Sequence, residues 1–161
     1  MDGSSLGNPG HAGGGVVVQN ASGDVLFIEA FYFEEKIAFQ VEALALYNGL
    51  QLCVQHGLFT VEIESDSKVL VQALQSSHLT SCPWQTYDIL ADVYILLQSI
   101  NGSLYHVFRE ANTAADYLAC HASEVRQSST FLPNNLPRTL RGLLFLDRIG
   151  CPNIRVRTVK G

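Results

Sequence analysis

DGSSLGNPGHAGGG, residues 2–15, is the stretch on which the reading of the fold turns. It opens on a carboxylate, Asp2, and continues as a Gly-rich turn whose glycines at 13–15 permit a tight hairpin approach. Residues 15–19 then read as a strand. Asn20-Ala-Ser-Gly-Asp24 reads as a hairpin loop, with Gly23 suited to positive φ, and residues 25–33 as the return strand, rich in β-branched and aromatic side chains. After that the period changes. Phe39, Ala43, Leu46, Leu50 and Val54 recur at helical spacing, which predicts an amphipathic helix over 38–55, stopped by Gly57.

The alternation continues in TVEIES, residues 60–65, with Val61 and Ile63 on one face and Glu62 and Glu64 on the other. A short helix is predicted over 67–75, a linker over 76–83, and a longer helix over 84–100 with Tyr87, Leu90, Ala91, Tyr94 and Leu97 on one side. Asn101-Gly102 is a turn signal. A strand over 103–110 and a helix over 112–125 follow. The remainder holds a short helix near 138–147 and an extended end, NIRVRTVKG. Antiparallel pairing followed by βα crossovers implies an α/β fold, a mixed sheet with helices on its faces. The domain is expected over 1–126, with 127–161 as a basic C-terminal extension.

A chain of 161 residues is one domain of ordinary size, and 47% apolar residues suffice for a core. No apolar run approaches the length of a membrane span, and MDGSSLG lacks the basic flank and apolar stretch of a signal peptide. Cys53, Cys82, Cys120 and Cys151 are scattered without paired spacing. They read as reduced thiols of an intracellular protein, nuclear or cytoplasmic. His11, His56, His78 and His121 share no metal-ligand spacing, and Trp84 after Pro83 reads as a packing residue. The net charge of −5 is unevenly placed. Residues 1–125 carry Lys36, Lys68 and Arg109 against fourteen acids, whereas 126–161 carry six Arg and Lys160 against Asp147 alone. An intramolecular match of basic tail and acidic body needs no ligand; a backbone-binding arm is the functional alternative.

Four acids stand at the junctions of this α/β pattern: Asp2, Glu42, Asp66 and Asp116. Three have simple structural explanations. Asp2 fits a turn, Asp66 could cap the helix after it, and Asp116 lies three residues after Thr113 in a capping-box arrangement. Glu42 is different. It lies on the Glu42, Leu46, Leu50 line that faces the sheet, with no Lys or Arg near in sequence, and an unpaired buried carboxylate costs several kcal/mol. A hard divalent cation such as Mg²⁺ is the natural partner of converging carboxylates, and two such ions can drive phosphodiester hydrolysis.

DGSSLGNPGHAGGG, VEALAL, IESDS and REANTAADYLA, in this order and spacing from residue 2 to about 120, resemble the ribonuclease H fold. More narrowly they resemble the RNase H-like domains of plant genomes and plant retroelement reverse transcriptases, and LPRTLRGLLFLDRIG resembles the ending of plant members. The resemblance implies a hydrolase that uses two Mg²⁺ ions, or Mn²⁺, to cut the RNA strand of an RNA/DNA hybrid, acting as a monomer. Asp2 would bridge both ions, Asp116 would complete the site of the water-activating ion, and Glu42 and Asp66 would hold the ion at the leaving 3′-oxygen. The products would carry a 5′-phosphate and a 3′-hydroxyl. Gly3, Asn8, Gln40 and Ser67 would contact the hybrid, through the ribose 2′-hydroxyls that mark RNA; a ligand-free turn is the alternative for Asn8-Pro9-Gly10.

Three departures temper that expectation. The family has strand residues ahead of its aspartate, whereas this sequence starts at Met1-Asp2, so the first strand reads as truncated; the alternatives are that the C-terminal IRVRTV segment substitutes or that the domain is poorly stable. Each backbone group so exposed costs about 1–3 kcal/mol. FREANTAAD lacks the mobile His of many bacterial relatives, leaving Arg109 or Glu110 as the available aids to product release, and His106 falls too early. The only Lys or Arg between Asp66 and Tyr105 is Lys68, so hybrid binding should be weak and salt-sensitive. A non-catalytic RNase H-like binding module derived from a retroelement is the main alternative. A 3′–5′ exonuclease is the lesser one.

Overall fold

The computed structural model describes residues 1–76 and 82–150. The expected linker over 76–83 falls partly outside the described residues, and His78, Cys151 and the NIRVRTVKG end fall wholly outside them.

The Gly-rich stretch forms two strands rather than a turn. β1 (Asp2–Gly7) and β2 (Gly10–Gln19) are antiparallel, from Asp2 opposite Gly15 to Gly7 opposite Gly10. Glycine depresses strand propensity, which hides β1 and the first half of β2 from a propensity reading. Here its use is proximity. A Cβ on Gly13 or Gly15 would overlap a carbonyl oxygen of Ala119 or Ala115 on the last long helix, so these glycines admit a helix to the sheet rather than tighten a turn. β3 (Val25–Lys36) returns along β2 and runs three residues further than expected, because Glu35 and Lys36 still pair with His11 and Gly10 at the start of β2.

α1 (Ala38–Gln55) matches the expected helix, although it buries more than one stripe: Val41, Ala43, Ala45, Leu46, Leu50 and Cys53 are all enclosed, since it packs against both sheet and helices. β4 (Glu62–Ser65) keeps the expected alternation, with Ile63 buried and Glu62 and Glu64 exposed. α2 (Lys68–Gln75) follows. The expected helix over 84–100 is divided: Trp84–Thr86 form a 3-10 turn behind Pro83, and α3 covers Tyr87–Ser99. Its buried line is Thr86, Leu90, Val93, Leu97 and Ile100, one position round from the expected stripe, so Tyr87, Ala91 and Tyr94 face outward. Trp84 is 75% exposed instead of packed, because the 3-10 turn sends Thr86 into the core in its place.

β5 (Ser103–His106) ends four residues before the expected limit, and Arg109–Ala111 form a second 3-10 turn that leads into α4 (Thr113–Val125). β5 pairs in parallel with β4, the two joined through α2 and α3. The segment after α4 contributes a short strand, β6 (Ser129–Thr130), on β3, and then α5 (Arg138–Arg148).

The main sheet has the order β1-β2-β3-β6. One of its faces, with β4, packs with α1, α2 and α3 around Val16, Leu46, Leu50, Ile63, Leu70 and Leu90. The other face packs with α4 and α5 around Ile28, Ala30, Leu118, Leu140 and Leu144. Arg148 of α5 meets Asp24 at 3.1 Å, a contact between basic tail and acidic body. Among the described residues the pair β4-β5 forms a separate two-stranded sheet. What bridges the sheets is the Met1 N–H, which donates to the Glu64 carbonyl at 2.9 Å.

Two glycines separate close packing from intrinsic propensity. Gly15→Ala should lower Tm by several degrees, since α4 cannot retreat without opening the core. Gly142→Ala, inside α5 with nothing within 4 Å of the added Cβ, should raise stability by about 1 kcal/mol. Thermal unfolding of both variants checks the pair.

Candidate metal centre

Asp2 is the first residue of β1 and only 3% exposed. The next residue sets its position. A Cβ on Gly3 would stand 2.8 Å from the Glu42 backbone nitrogen, so glycine lets β1 lie directly on α1 and brings Glu42 to Asp2. Asp66 arrives from the end of β4, where the Ser65 hydroxyl oxygen accepts the Ser67 N–H at 3.2 Å. One carboxylate oxygen from each of Asp2, Glu42 and Asp66 lies within 4.8 Å of the others.

Burial and mutual repulsion act together on this trio. The Asp2 carboxyl is pushed up to about 9, first by burial, then by the adjoining Asp66 carboxyl and the charges of Glu42 and Asp116. Glu42 is pushed up to about 8, again mainly by burial and next by the Asp66 charge, with the Gly3 N–H and Arg109 among the groups that offset it. Asp2 Oδ2 is buried without a hydrogen-bond partner, the sole such side-chain atom among the described residues. An orphaned carboxylate oxygen beside two more carboxylates is a poor arrangement for a core and a good one for a hard cation. The donor set therefore fits Mg²⁺ or Mn²⁺.

Asp116 stands in the first turn of α4, and its charge reaches Asp2, yet it lies outside the close trio. Arg109 Nη2 donates to Asp116 Oδ1 in an ion pair. The helix-cap readings do not materialise for Asp66: α2 is capped at Ser67 without a side-chain bond, and the Asp66 carboxylate accepts from Asn112 instead. Asn112 was not foreseen. It is 7% exposed, and its Nδ2 donates to Asp66 Oδ1 at 3.3 Å and to the Met1 carbonyl at 2.9 Å, so one amide ties α4 to both strands that carry the acids. Its position one helical turn before Asp116 is the signal that could have found it.

The expected substrate contacts divide. Asn8, exposed in the β1–β2 turn, accepts the Ala38 N–H on Oδ1 at 3.1 Å, and Gln40 Oε1 accepts the Ile37 N–H at 3.4 Å. Both therefore satisfy donors at the start of α1. Gly3 is enclosed against α1, and Ser67 lies beside Asp66, half-buried.

The reverse transcriptase-like family model matches residues 1–122. Over 121 residues the chain is 32% identical to the "Putative ribonuclease H protein" of Arabidopsis thaliana, a match covering 75% of this chain. It spans only 19% of that relative's length. Among solved structures, RNase H1 from the halophilic archaeon Halobacterium salinarum is similar at a TM-score of 0.71 and 27% identity, covering 78% of this chain and 95% of that one. LC11-RNase H1 in complex with an RNA/DNA hybrid is similar at a TM-score of 0.71 and 27% identity, covering 78% and 94% respectively. The ribonuclease H-like mixed α/β fold expected from the motifs is thus the fold observed.

The raised carboxyls set a pH dependence. In the unfolded chain Asp2 and Glu42 lose their protons near 3.8 and 4.5, whereas the fold holds them to about 9 and 8. The stability this confers is full below the lower pair and is lost as pH rises through the upper pair. Tm of the metal-free protein should fall between about pH 5 and about pH 9, and added Mg²⁺ should restore it most at the alkaline end. Asp2→Asn should flatten the fall and abolish the Mg²⁺ response in a thermal melt; an unchanged slope would place the titration elsewhere.

Proposed function

The chain belongs to the reverse transcriptase-like family, and we propose that it is a metal-dependent ribonuclease of the RNase H type, cutting the RNA strand of RNA/DNA hybrids. One observation carries this reading: three carboxylates from β1, α1 and the end of β4 converge, with Asp2 Oδ2 buried and unpartnered among them. Asp2, Glu42 and Asp66 would hold a divalent cation. Such an ion supplies Lewis-acid polarisation of a phosphoryl oxygen and lowers the pKa of bound water.

The chain's own residues do the rest. Asn112 fixes the Asp66 carboxylate, as an outer hydrogen bond orients a metal ligand. Arg109, held charged by Asp116, presents a planar cation that matches a phosphate as well as a carboxylate. Transfer of Arg109 to a scissile phosphate would release Asp116 to join the other acids, completing the four-carboxylate site for two ions. Asn8 and Gln40 have committed their amide oxygens to α1, so the NH₂ groups are what they offer to ribose hydroxyls; Gly3 and Ser67 border the same acids. The similarity to LC11-RNase H1, solved with an RNA/DNA hybrid, supports this substrate class. No helix among the described residues is long and apolar enough to cross a membrane; a nuclear or cytoplasmic monomer is the proposed setting.

The Arg109–Asp116 ion pair also favours a second reading, a retroelement-derived RNase H-like module that binds nucleic acid with little or no cleavage. One assay separates the two. A labelled RNA/DNA hybrid should be cut with Mg²⁺ and spared with chelator, while single-stranded RNA and duplex DNA survive both. Asp66→Asn should abolish cutting with circular dichroism unchanged, and Asn112→Ala should slow it about 10- to 100-fold. Binding without cutting at any Mg²⁺ or Mn²⁺ level would establish the module instead.

A further inference from the structure

Phe108 is 78% exposed, and no large apolar side chain among the described residues is more so. Single exposed apolar side chains are ordinary on protein surfaces, so exposure alone carries nothing. Its place is what sets Phe108 apart. The Val107 N–H donates to the Ser65 carbonyl at 3.0 Å, which holds this stretch against the end of β4, directly before Asp66. The Phe108 carbonyl accepts the Ala111 N–H at 2.8 Å and so opens the 3-10 turn that carries Arg109, the partner of Asp116. Asn112, just after that turn, holds Asp66. Phe108 therefore stands on the rim of the acid cluster, with its backbone pinned on both sides.

The ring itself is left to solvent. Its aromatic neighbour among the described residues is His106, edge-on at 6.0 Å between centroids and 73° between planes, and His106 is exposed too. A polyanion must be gripped here with little ionic help, since residues 1–125 set only Lys36, Lys68 and Arg109 against fourteen acids. A flat apolar face is the non-ionic means of holding nucleic acid, because stacking accepts any base. Arg109 follows Phe108 directly. Consecutive Cα atoms are about 3.8 Å apart, so a guanidinium for a phosphate and a phenyl face for a base are presented to one nucleotide. Inside a duplex both faces of a base are covered by its neighbours. A base with a face to give is unpaired, at an end or in a single-stranded flank.

On the hybrid-ribonuclease reading, we propose that Phe108 and Arg109 form a subsite for the first unpaired nucleotide beside the hybrid, its base on the Phe108 ring and its phosphate on Arg109. The protein then binds a junction between hybrid and single strand in preference to the interior of a long hybrid. The subsite supplies affinity where the surface charge does not. It also sets the cut close to the junction, because it borders Asp66 and the Arg109–Asp116 pair. Trp84 is nearly as exposed, at 75%, but it lies in the 3-10 turn ahead of α3 and lacks this placement.

Binding is read by fluorescence anisotropy with Mg²⁺ on Asp66→Asn protein, so that it does not depend on cutting. The probes are an RNA/DNA hybrid with blunt ends, the same hybrid with a three-nucleotide RNA flank, and the same flank without its bases. The base-bearing flank should tighten binding about tenfold, and the abasic flank far less. Added to that background, Phe108→Ala should erase the gain, whereas Phe108→Tyr and Trp84→Ala should keep it. The advantage of the base-bearing flank over the abasic one should persist as salt is raised, unlike a phosphate contact. With Asp66 intact, Mg²⁺-dependent cuts should gather beside the junction, and Phe108→Ala should raise KM on the flanked hybrid with kcat changed little. Equal binding of all three probes, an undiminished gain in Phe108→Ala, or the same loss in Trp84→Ala would overturn the subsite. A Phe108-dependent gain without cutting by the intact protein would remove the ribonuclease reading and leave the subsite; cutting with no flank preference would do the reverse.

Discussion

Mutual repulsion between carboxylates is the constraint on which the rest of the structure depends. Three of them share a space less than 5 Å across, and one carries a buried oxygen with no donor. At that spacing two like charges repel by roughly 3–4 kcal/mol at an effective dielectric near 20. A domain with net stability of about 5–15 kcal/mol does not carry such a cluster fully ionised without compensation. The fold answers by raising the Asp2 and Glu42 carboxyls to about 9 and about 8, and a divalent cation is the proposed partner that would let all three ionise.

Bringing the acids together requires backbones, rather than side chains, to touch. Gly3 lets β1 meet α1, and Gly13 and Gly15 let α4 lie on β2. Those contacts fix the distances from Asp2 to Glu42 and from Asp2 to the head of α4. Asn112 then closes the ring from α4 to Asp66. The same glycine stretch is thus both the reason the sheet can be covered closely on two faces and the reason a site forms at its edge.

Much of this was legible in the sequence. α1 could be read from apolar spacing, and β4 from strict alternation, because each has one solvent face to contrast with a buried one. The acids stood out because Glu42 occupied an apolar line without a partner. β1 and the first half of β2 were illegible for the opposite reason: they are strands made of glycine and serine, held by neighbours instead of by propensity. Asn112 and the Arg109–Asp116 pair were hidden because their roles depend on groups far away in sequence or on a 3-10 turn that interrupts an expected strand. Trp84 misled, since a large aromatic after proline reads as packing until the short turn that exposes it is seen.

The acids, the glycines that gather them and the amide that orients Asp66 support one proposal, a divalent cation between Asp2, Glu42 and Asp66. Crystals grown at neutral pH and soaked in Mn²⁺ test it directly through the anomalous signal of the metal. The account predicts a peak within bonding distance of oxygens from all three side chains, about 2.0–2.3 Å away. An empty map between three ordered carboxylates, or a peak bound only at surface acids such as Glu34 or Asp88, would contradict it.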